Sequence, residues 1–305
     1  MEIIHSLEEI GDRRIVLALG FFDGCHLGHQ AVLSAAKELG REKKAQIGVC
    51  TFFPHPMSLL FPEKKIPLLQ SEAEKEEMLE SLGMELCLCI RPDLSFLNES
   101  AEDFLRSLRR LPGLVGLAAG ENFSYGKGAS GNMTEMKRFF SGSRVEVREI
   151  PLLSGGKEIV SSTEIREAVR AGDMRKAAAL LGRSYTVSGD VVHGFRRGSD
   201  ILGFPTANLS LPENRLLPKD GVYATRCRVG GAFYPAVTNI GTNPTFGNTE
   251  RTVETFIFDF DESIYGKEFT LEWVEYLRGE IRFENFEDLK AQIERDIERA
   301  KKILG

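Results

Sequence analysis

Two histidines, His26 and His29, lie in the stretch Gly20-Phe21-Phe22-Asp23-Gly24-Cys25-His26-Leu27-Gly28-His29-Gln30. At that spacing both imidazoles fall on one side of a helix's first turn if the helix begins by Leu27. Two such donors beside a helix N-terminus suit charge developing on phosphorus, which is the main catalytic demand of phosphoryl and nucleotidyl transfer. The N–H groups of the helix start add partial positive charge, Gly20 and Gly24 permit a tight backbone, and Gly28 permits close approach. Metal binding is the weaker reading, because zinc wants at least three protein ligands and His-x-x-His lacks the spacing and the Glu of H-E-x-x-H. Cys25, near the same helix start, is a candidate reactive thiol: the dipole favours its thiolate and Asp23 opposes it.

A second set of residues suits a different chemistry. In Val253-Glu254-Thr255-Phe256-Ile257-Phe258-Asp259-Phe260, strict alternation places Glu254 on one face with Phe256, Phe258 and Phe260. An acid on an aromatic face is either paired or kept to take a proton, and desolvation raises its pKa toward the range of a general base. Leu202-Gly203-Phe204-Pro205-Thr206-Ala207-Asn208-Leu209, read alone, is first of all a turn. If it is a phosphate site, the Thr206 hydroxyl and Asn208 carbonyl supply hard oxygens for Mg²⁺, with Gly194, Arg197 and Gly198 of a glycine-rich loop around the phosphates.

Three further segments could line a site. Val160-Ser161-Ser162-Thr163-Glu164-Ile165-Arg166 offers hydroxyls able to cap a helix, and Arg166 one turn later could reach a phosphate oxygen. Phe53-Pro54-His55-Pro56 is a proline-fixed loop at a strand end, where ligands sit in open α/β sheets. Gly120-Glu121-Asn122-Phe123-Ser124-Tyr125-Gly126-Lys127-Gly128 is neither a Walker A loop nor a dinucleotide fingerprint: the spacing is wrong for the first, and no acidic residue ends a following strand for the second.

The elements that must position these residues fall into two rhythms. Up to Leu181, short apolar runs alternate with helical patterns: strands at Ile15–Leu19, Gln46–Phe52, Leu86–Ile90 and Leu114–Ala118, and helices opened by a capping box at Ser71 and by Ser100. This predicts a parallel sheet with helices on its faces. The last helix of this half is Met174–Leu181. Beyond Gly182 come short strand-like runs with Gly and Pro turns, then one amphipathic helix from Asn285 to Leu304, predicting a small antiparallel barrel. The expected domains are 1–182 and 183–305.

At 305 residues each domain can bury its own core. The chain has a net charge of −6, which argues against a general nucleic-acid surface. Five cysteines without a Cys-x-x-Cys pair suggest neither a disulfide framework nor a zinc knuckle, and a reducing cytoplasm fits. No leader pattern and no apolar run of about 18 residues stand out, so the expected protein is neither secreted nor membrane-spanning.

The motif carried by Gly20, Phe22, Asp23, Gly24, His26, Gly28 and His29 resembles the signature of the bacterial bifunctional riboflavin kinase/FAD synthetases, within the nucleotidyltransferase superfamily. Its His-x-Gly-His core alone would also fit cytidylyltransferases or pantetheine-phosphate adenylyltransferase. The family's Ile-Ser-Ser-Thr-x-Ile-Arg is matched here except for Val160. Its Gly-x-Asn/Asp-Phe-x-Phe-Gly loop is matched with Tyr125 in place of Phe, and its Gly-Phe-Pro-Thr-Ala-Asn hallmark is complete. Phe256 stands where the family often has His, and Gly279 where Pro is common.

The resemblance spans essentially the whole chain. It implies an α/β nucleotidyltransferase domain with a Rossmann-like parallel sheet, followed by a flavokinase barrel with a C-terminal helix. The implied substrates are riboflavin, FMN and ATP, with FAD as product and Mg²⁺ as cofactor. By the same resemblance Glu254 is the kinase base, and Thr206 and Asn208 hold the metal. His26, His29, Ser162, Thr163 and Arg166 then serve adenylyl transfer, and Asn122, His55 and Arg278 contact flavin. The alternative left open is an adenylyltransferase whose barrel is inactive.

Overall fold

The computed structural model describes residues 1–63, 66–155, 158–192, 206–212, 214–242, 251–260 and 262–305. It forms two compact units, Met1–Ser162 and Thr163–Gly305. Among the described residues no helix is long and apolar enough to cross a membrane.

The first unit runs β1 (Glu2–Ile4), β2 (Ile15–Leu19), α1 (Leu27–Lys43), β3 (Gln46–Phe52), α2 (Pro56–Leu60), α3 (Glu72–Ser81) and β4 (Leu86–Ile90). It continues through α4 (Leu94–Leu97), α5 (Ala101–Arg109), β5 (Leu114–Gly120), α6 (Met133–Phe140) and β6 (Glu146–Ile150), then a small hairpin, β7 (Ser154–Gly155) with β8 (Glu158–Ile159). Six strands pair in the order β1-β4-β3-β2-β5-β6, every pair parallel. Alternate residues of the central strands feed two cores. Leu17, Leu86 and Leu117 pack with Leu105 and Met136 of α5 and α6. Val16, Val49 and Ala118 pack with Leu33, Leu39 and Leu79 of α1 and α3. Burial on both faces explains why these strands read as continuous apolar runs.

Residues Ile15–Leu19, Gln46–Phe52 and Leu86–Ile90 are strands over the bounds their apolar runs predict, and Ser71 with Glu74 forms the expected capping box. The edge strands β1 and β6 were not expected. They are short or carry charges at Glu146, Arg148 and Glu149, as edges do to resist further pairing. The strand order reverses between β2 and β5, so the turn after β2 and the loop after β5 meet at a topological switch point, where open α/β sheets bind ligands.

The second unit contains α7 (Ser162–Ala171), most of which lies past the division, and α8 (Met174–Leu181). The strands β9 (Tyr185–Val192), β10 (Thr206–Ser210), β11 (Gly221–Val229), β12 (Ala232–Thr242), β13 (Arg251–Ile257) and β14 (Glu268–Arg278) follow, then α9 (Phe286–Leu304). The strands close into an antiparallel barrel in the order β10-β13-β12-β11-β14-β9. Closure leaves no sheet edge.

Inside the barrel, Trp273, Tyr223 and Phe269 are fully buried. A chain of hydroxyls joins Thr225, Thr238 and Thr255 at 2.8 and 2.9 Å, so each buried threonine finds a partner. On the outer face, Val222, Ala224 and Leu277 pack beneath Ala300 and Leu304 of α9. The compact units divide twenty residues earlier than the composition break after Gly182. Helix α8 packs on β9 and β14, and Arg175 pairs with Glu275 of β14. The composition break marks where helix gives way to strand; packing groups that helix with the barrel.

Candidate functional site

In the first unit the chain leaves β2 through a turn whose backbone is held in the left-handed region at Phe22 (φ 57°), Gly24 (φ 85°) and Cys25 (φ 38°). Non-glycine residues rarely adopt this conformation, and such strain is kept only where surrounding contacts over-determine it. The contacts are present. The buried Asp23 carboxylate accepts N–H bonds from Leu69 (3.0 Å) and Gln70 (3.2 Å), and Thr51 Oγ1 donates to the Phe21 carbonyl at 2.9 Å. Gln30 Nε2 donates to the Cys25 carbonyl at 2.9 Å.

His26 is the N-cap of α1, and its Nδ1 accepts the His29 N–H at 3.2 Å. With Nδ1 accepting, a neutral ring carries its proton on Nε2 and offers a donor there. The His29 ring stacks on it with centroids 3.6 Å apart, and the Phe22 ring meets His29 edge-on at 5.3 Å. A Cβ on Gly28 would lie 3.2 Å from the His26 ring, so glycine is what lets this stack sit on the helix start. Among the described residues none accepts the N–H groups of Leu27 and Gly28, the orphan donors that make a helix start an anion site.

Ser162 also reaches this turn. Its Oγ donates to the Asp23 carbonyl at 2.9 Å, and the Val160 carbonyl lies 3.5 Å from the position of a Gly28 Cβ. The sequence suggests a cap for this hydroxyl; the structure turns it onto the turn that follows β2. Thr163 and Arg166 lie on α7, exposed and half-buried respectively.

His55 caps α2, its Nδ1 accepting the Met57 N–H at 3.1 Å, and its ring meets Phe21 edge-on at 4.3 Å. Asn122 is exposed just past β5, at the switch point, and Gly20 closes β2 beneath the Phe22 ring. Two side chains have other partners than those expected. The Asp23 carboxylate is engaged with backbone amides, so it shapes the turn. Cys25 is fully buried with Sγ donating to the Phe22 carbonyl at 3.3 Å, which removes the access a reactive thiol needs.

In the second unit Glu254 occupies the middle of β13. Asn208 of β10 stands opposite it on one side and Asn239 of β12 on the other. Thr206, one step further along the same face of β10, is opposite Phe256. Val253, Thr255 and Ile257 fill the barrel, so Glu254 and Phe256 point outward beneath α9. There they line a cavity of about 830 Å³ with Thr206, Asn239, Arg278 and Glu280, walled on the far side by Leu289 and Ile293 of α9.

Burial pushes the Glu254 pKa up, and no described residue hydrogen-bonds or pairs with its carboxylate. The aromatic face is shorter than alternation suggests. The strand ends at Ile257; Phe258 turns under α9, and Phe260 meets Tyr234.

Arg278 lines the cavity with its guanidinium committed. It makes a forked pair with Asp296 of α9, Nε and Nη2 each within 2.9 Å of Oδ2, and donates from Nη1 to the Gly279 carbonyl. Gln292 completes Asp296 at 2.9 Å. Arg278 therefore fastens α9 over the cavity. Gly194, Arg197 and Gly198 lie outside the described residues.

Two residues escaped the sequence reading. Asn239 gave no signal, because its relation to Glu254 is a matter of strand register. Lys75, buried at the root of the β2 turn, sits in a helix that reads as an ordinary charged surface helix.

Residues 9–164 match the FAD synthetase family model and residues 181–304 the riboflavin kinase model. Bifunctional riboflavin kinase/FMN adenylyltransferases from Listeria monocytogenes and Bacillus subtilis are 38% and 35% identical, covering 95% and 97% of this chain and 93% and 94% of theirs. The crystal structure of a protein named as a macrolide-efflux protein from Streptococcus pneumoniae superposes with a TM-score of 0.90 at 31% identity, covering 98% of both chains. With both halves matched and curated relatives aligned over nearly its whole length, the chain belongs to the bifunctional riboflavin kinase/FMN adenylyltransferase family.

Proposed function

We propose that the chain converts riboflavin to FAD in two ATP-dependent steps, the barrel unit phosphorylating riboflavin to FMN and the α/β unit adenylylating FMN with release of pyrophosphate. The observation that carries the kinase assignment is the desolvated Glu254 carboxylate, without a partner among the described residues, facing a cavity of flavin size between Asn208 and Asn239.

In the first step Glu254 takes the proton of the ribityl 5′-hydroxyl as its oxygen attacks the γ-phosphorus of ATP, and ADP leaves. The apolar wall from Phe256 and α9 excludes water and receives the ring system, with Arg278 holding that wall in place. The donor set fits Mg²⁺: the Thr206 hydroxyl and Asn208 carbonyl would hold it, and it would neutralise charge on the ATP phosphates. Gly194, Arg197 and Gly198 are proposed to border those phosphates.

In the second step an oxygen of the FMN phosphate attacks the α-phosphorus of another ATP. The nucleophile is already ionised, so this unit needs donors and no base. His26, His29 and the amides at the start of α1 serve as those donors, with Gly20, Phe22, Asp23, Gly24 and Ser162 shaping the turn. Thr163 and Arg166 are assigned to the nucleotide phosphates, and Asn122 and His55 to the flavin. We assign the protein to the cytoplasm, a reading supported by its five buried free cysteines and by the ATP-dependent chemistry proposed for it.

The direct test is to incubate the protein with riboflavin, ATP and Mg²⁺ and separate the flavins over time. FMN should rise and then give way to FAD; FAD from added FMN alone would point instead to an inactive barrel.

A further inference from the structure

Lys75, on α3, is 4% exposed. Its Nζ lies 3.0 Å from the Phe52 carbonyl, 3.2 Å from Thr51 Oγ1 and 3.5 Å from the Phe21 carbonyl, and 4.8 Å from the centroid of the Phe21 ring. No described carboxylate forms an ion pair with it, so an ammonium is buried against neutral oxygens and a π face. Burying a cation without a counter-ion is costly, and burial lowers its pKa. Its place in the fold shows what the cost supports.

Phe21 follows the C-terminal end of β2, and Phe52 ends β3, the parallel neighbour of β2. The Phe21 carbonyl receives both Lys75 and Thr51, and the next residue, Phe22, begins the left-handed stretch that carries His26 and His29. The Phe21 C=O and the Phe22 N–H belong to one trans peptide plane and point opposite ways, so a carbonyl drawn toward Lys75 fixes where that N–H faces. The same lysine sets the start of the His55 loop through Phe52.

We propose that Lys75 is a positioning residue for adenylyl transfer, its ammonium clamping the Phe21 and Phe52 carbonyls so that the strained turn keeps its phosphate-binding shape. This rests on the reading that the His26–His29 turn is the phosphate site. All three N–H bonds of the clamp require the protonated amine; loss of the proton removes one donor. The groups facing Lys75 are Asp23 and Cys25 from the turn, Cys87 and Cys89 from β4, and Glu76 on its own helix.

The test uses the full-length protein and measures both activities in the same samples, with His29→Ala alongside. In Lys75→Met, FMN adenylylation should fall about tenfold or more, as for small misplacements of catalytic groups, with riboflavin phosphorylation within about twofold of the parent. The parent should also lose adenylylation on the alkaline side, below the ordinary lysine range near ~10.4, and Lys75→Met should lack that limb. A folded Lys75→Met with parental adenylylation, or with the alkaline limb unchanged, overturns the proposal. If Lys75→Met does not fold, Thr51→Val, which deletes one partner of the clamp at nearly constant shape, decides: a several-fold loss supports the clamp and a parental rate refutes it. If His29→Ala leaves FAD formation intact, the phosphate-site reading fails and the clamp with it. If His29→Ala abolishes FAD formation while Lys75→Met does not, the clamp alone fails.

Discussion

Asn208 and Glu254 stand directly opposite each other across the β10–β13 ladder, with both side chains on the outer face of the barrel. The proposed metal ligand and the proposed base are thus fixed in one row by backbone pairing, and neither belongs to the unit that carries His29. The two reactions should therefore separate by mutation. Glu254→Gln keeps the shape and removes the proton acceptor, so riboflavin phosphorylation should fall ~10²- to 10⁴-fold, while added FMN still becomes FAD. His29→Ala should do the reverse and let FMN accumulate. Equal loss of both steps in either variant, with circular dichroism matching the parent, would contradict the assignment.

The raised pKa of Glu254 has a signed consequence. A base works only when deprotonated, so the kinase rate should decline as pH falls through the Glu254 pKa, at a pH above the usual glutamate range of ~4.3. The same elevation means that the ionised carboxyl costs stability above that pH, and Glu254→Gln should melt no lower than the parent at neutral pH. An acid limb at the ordinary glutamate position would show that desolvation does not tune this group.

Arg278 and Asp296 form a pair whose side chains are 18% and 7% exposed. Removing one partner strands the other charge, which in buried pairs costs about 3–5 kcal/mol, whereas replacing both with apolar residues is often neutral. Arg278→Leu should loosen α9 and raise the KM for riboflavin much more than the kinase kcat. The double change Arg278→Leu with Asp296→Leu should recover most of the thermal stability. Equal effects in the single and double variants would mean that the pair does not hold the helix.

Asp23→Ala tests the turn from beneath. It removes the acceptor of two buried amides, Leu69 and Gln70, at about 1–3 kcal/mol for each left unsatisfied. Differential scanning calorimetry should show the transition of the α/β unit lowered and that of the barrel unmoved, with adenylylation reduced in step. An unchanged first transition would show that the amides find other acceptors.

What the sequence made legible followed periodicity and local chemistry. The central strands were readable because both faces are buried, and the caps at Ser71 and Ser100 because one hydroxyl satisfies one amide. That His26 and His29 share one side of the start of α1 was readable because residues three apart on a helix are neighbours; their ring stacking was not. Relations set by register or by distant backbone were not. Asn239 beside Glu254, Asp23 beneath Leu69 and Lys75 under Phe21 depend on which strands and loops meet, and the local sequence of each carries no trace of it. Arg278, expected by resemblance to contact flavin, lines the cavity beside Glu254, but its partner Asp296 lies on α9, and no local signal in the sequence reveals how that helix packs on the barrel.

The domain boundary gives the last prediction. Composition changes after Gly182, but Met174, Ala177, Leu180 and Leu181 are the buried face of α8, and that helix packs on β9 and β14. Cutting at residue 183 would expose the barrel surface these side chains cover, removing roughly 1.5–3 kcal/mol for each large apolar side chain that leaves the core. A fragment of residues 163–305 should therefore fold and phosphorylate riboflavin. A fragment of residues 183–305 should keep the chemistry of Thr206, Asn208 and Glu254 but unfold at a lower temperature or urea concentration. The comparison is made by urea titration with the buried Trp273 as fluorescent probe. If the shorter fragment is as stable as the longer, α8 contributes nothing to the barrel, and the boundary belongs where the composition changes.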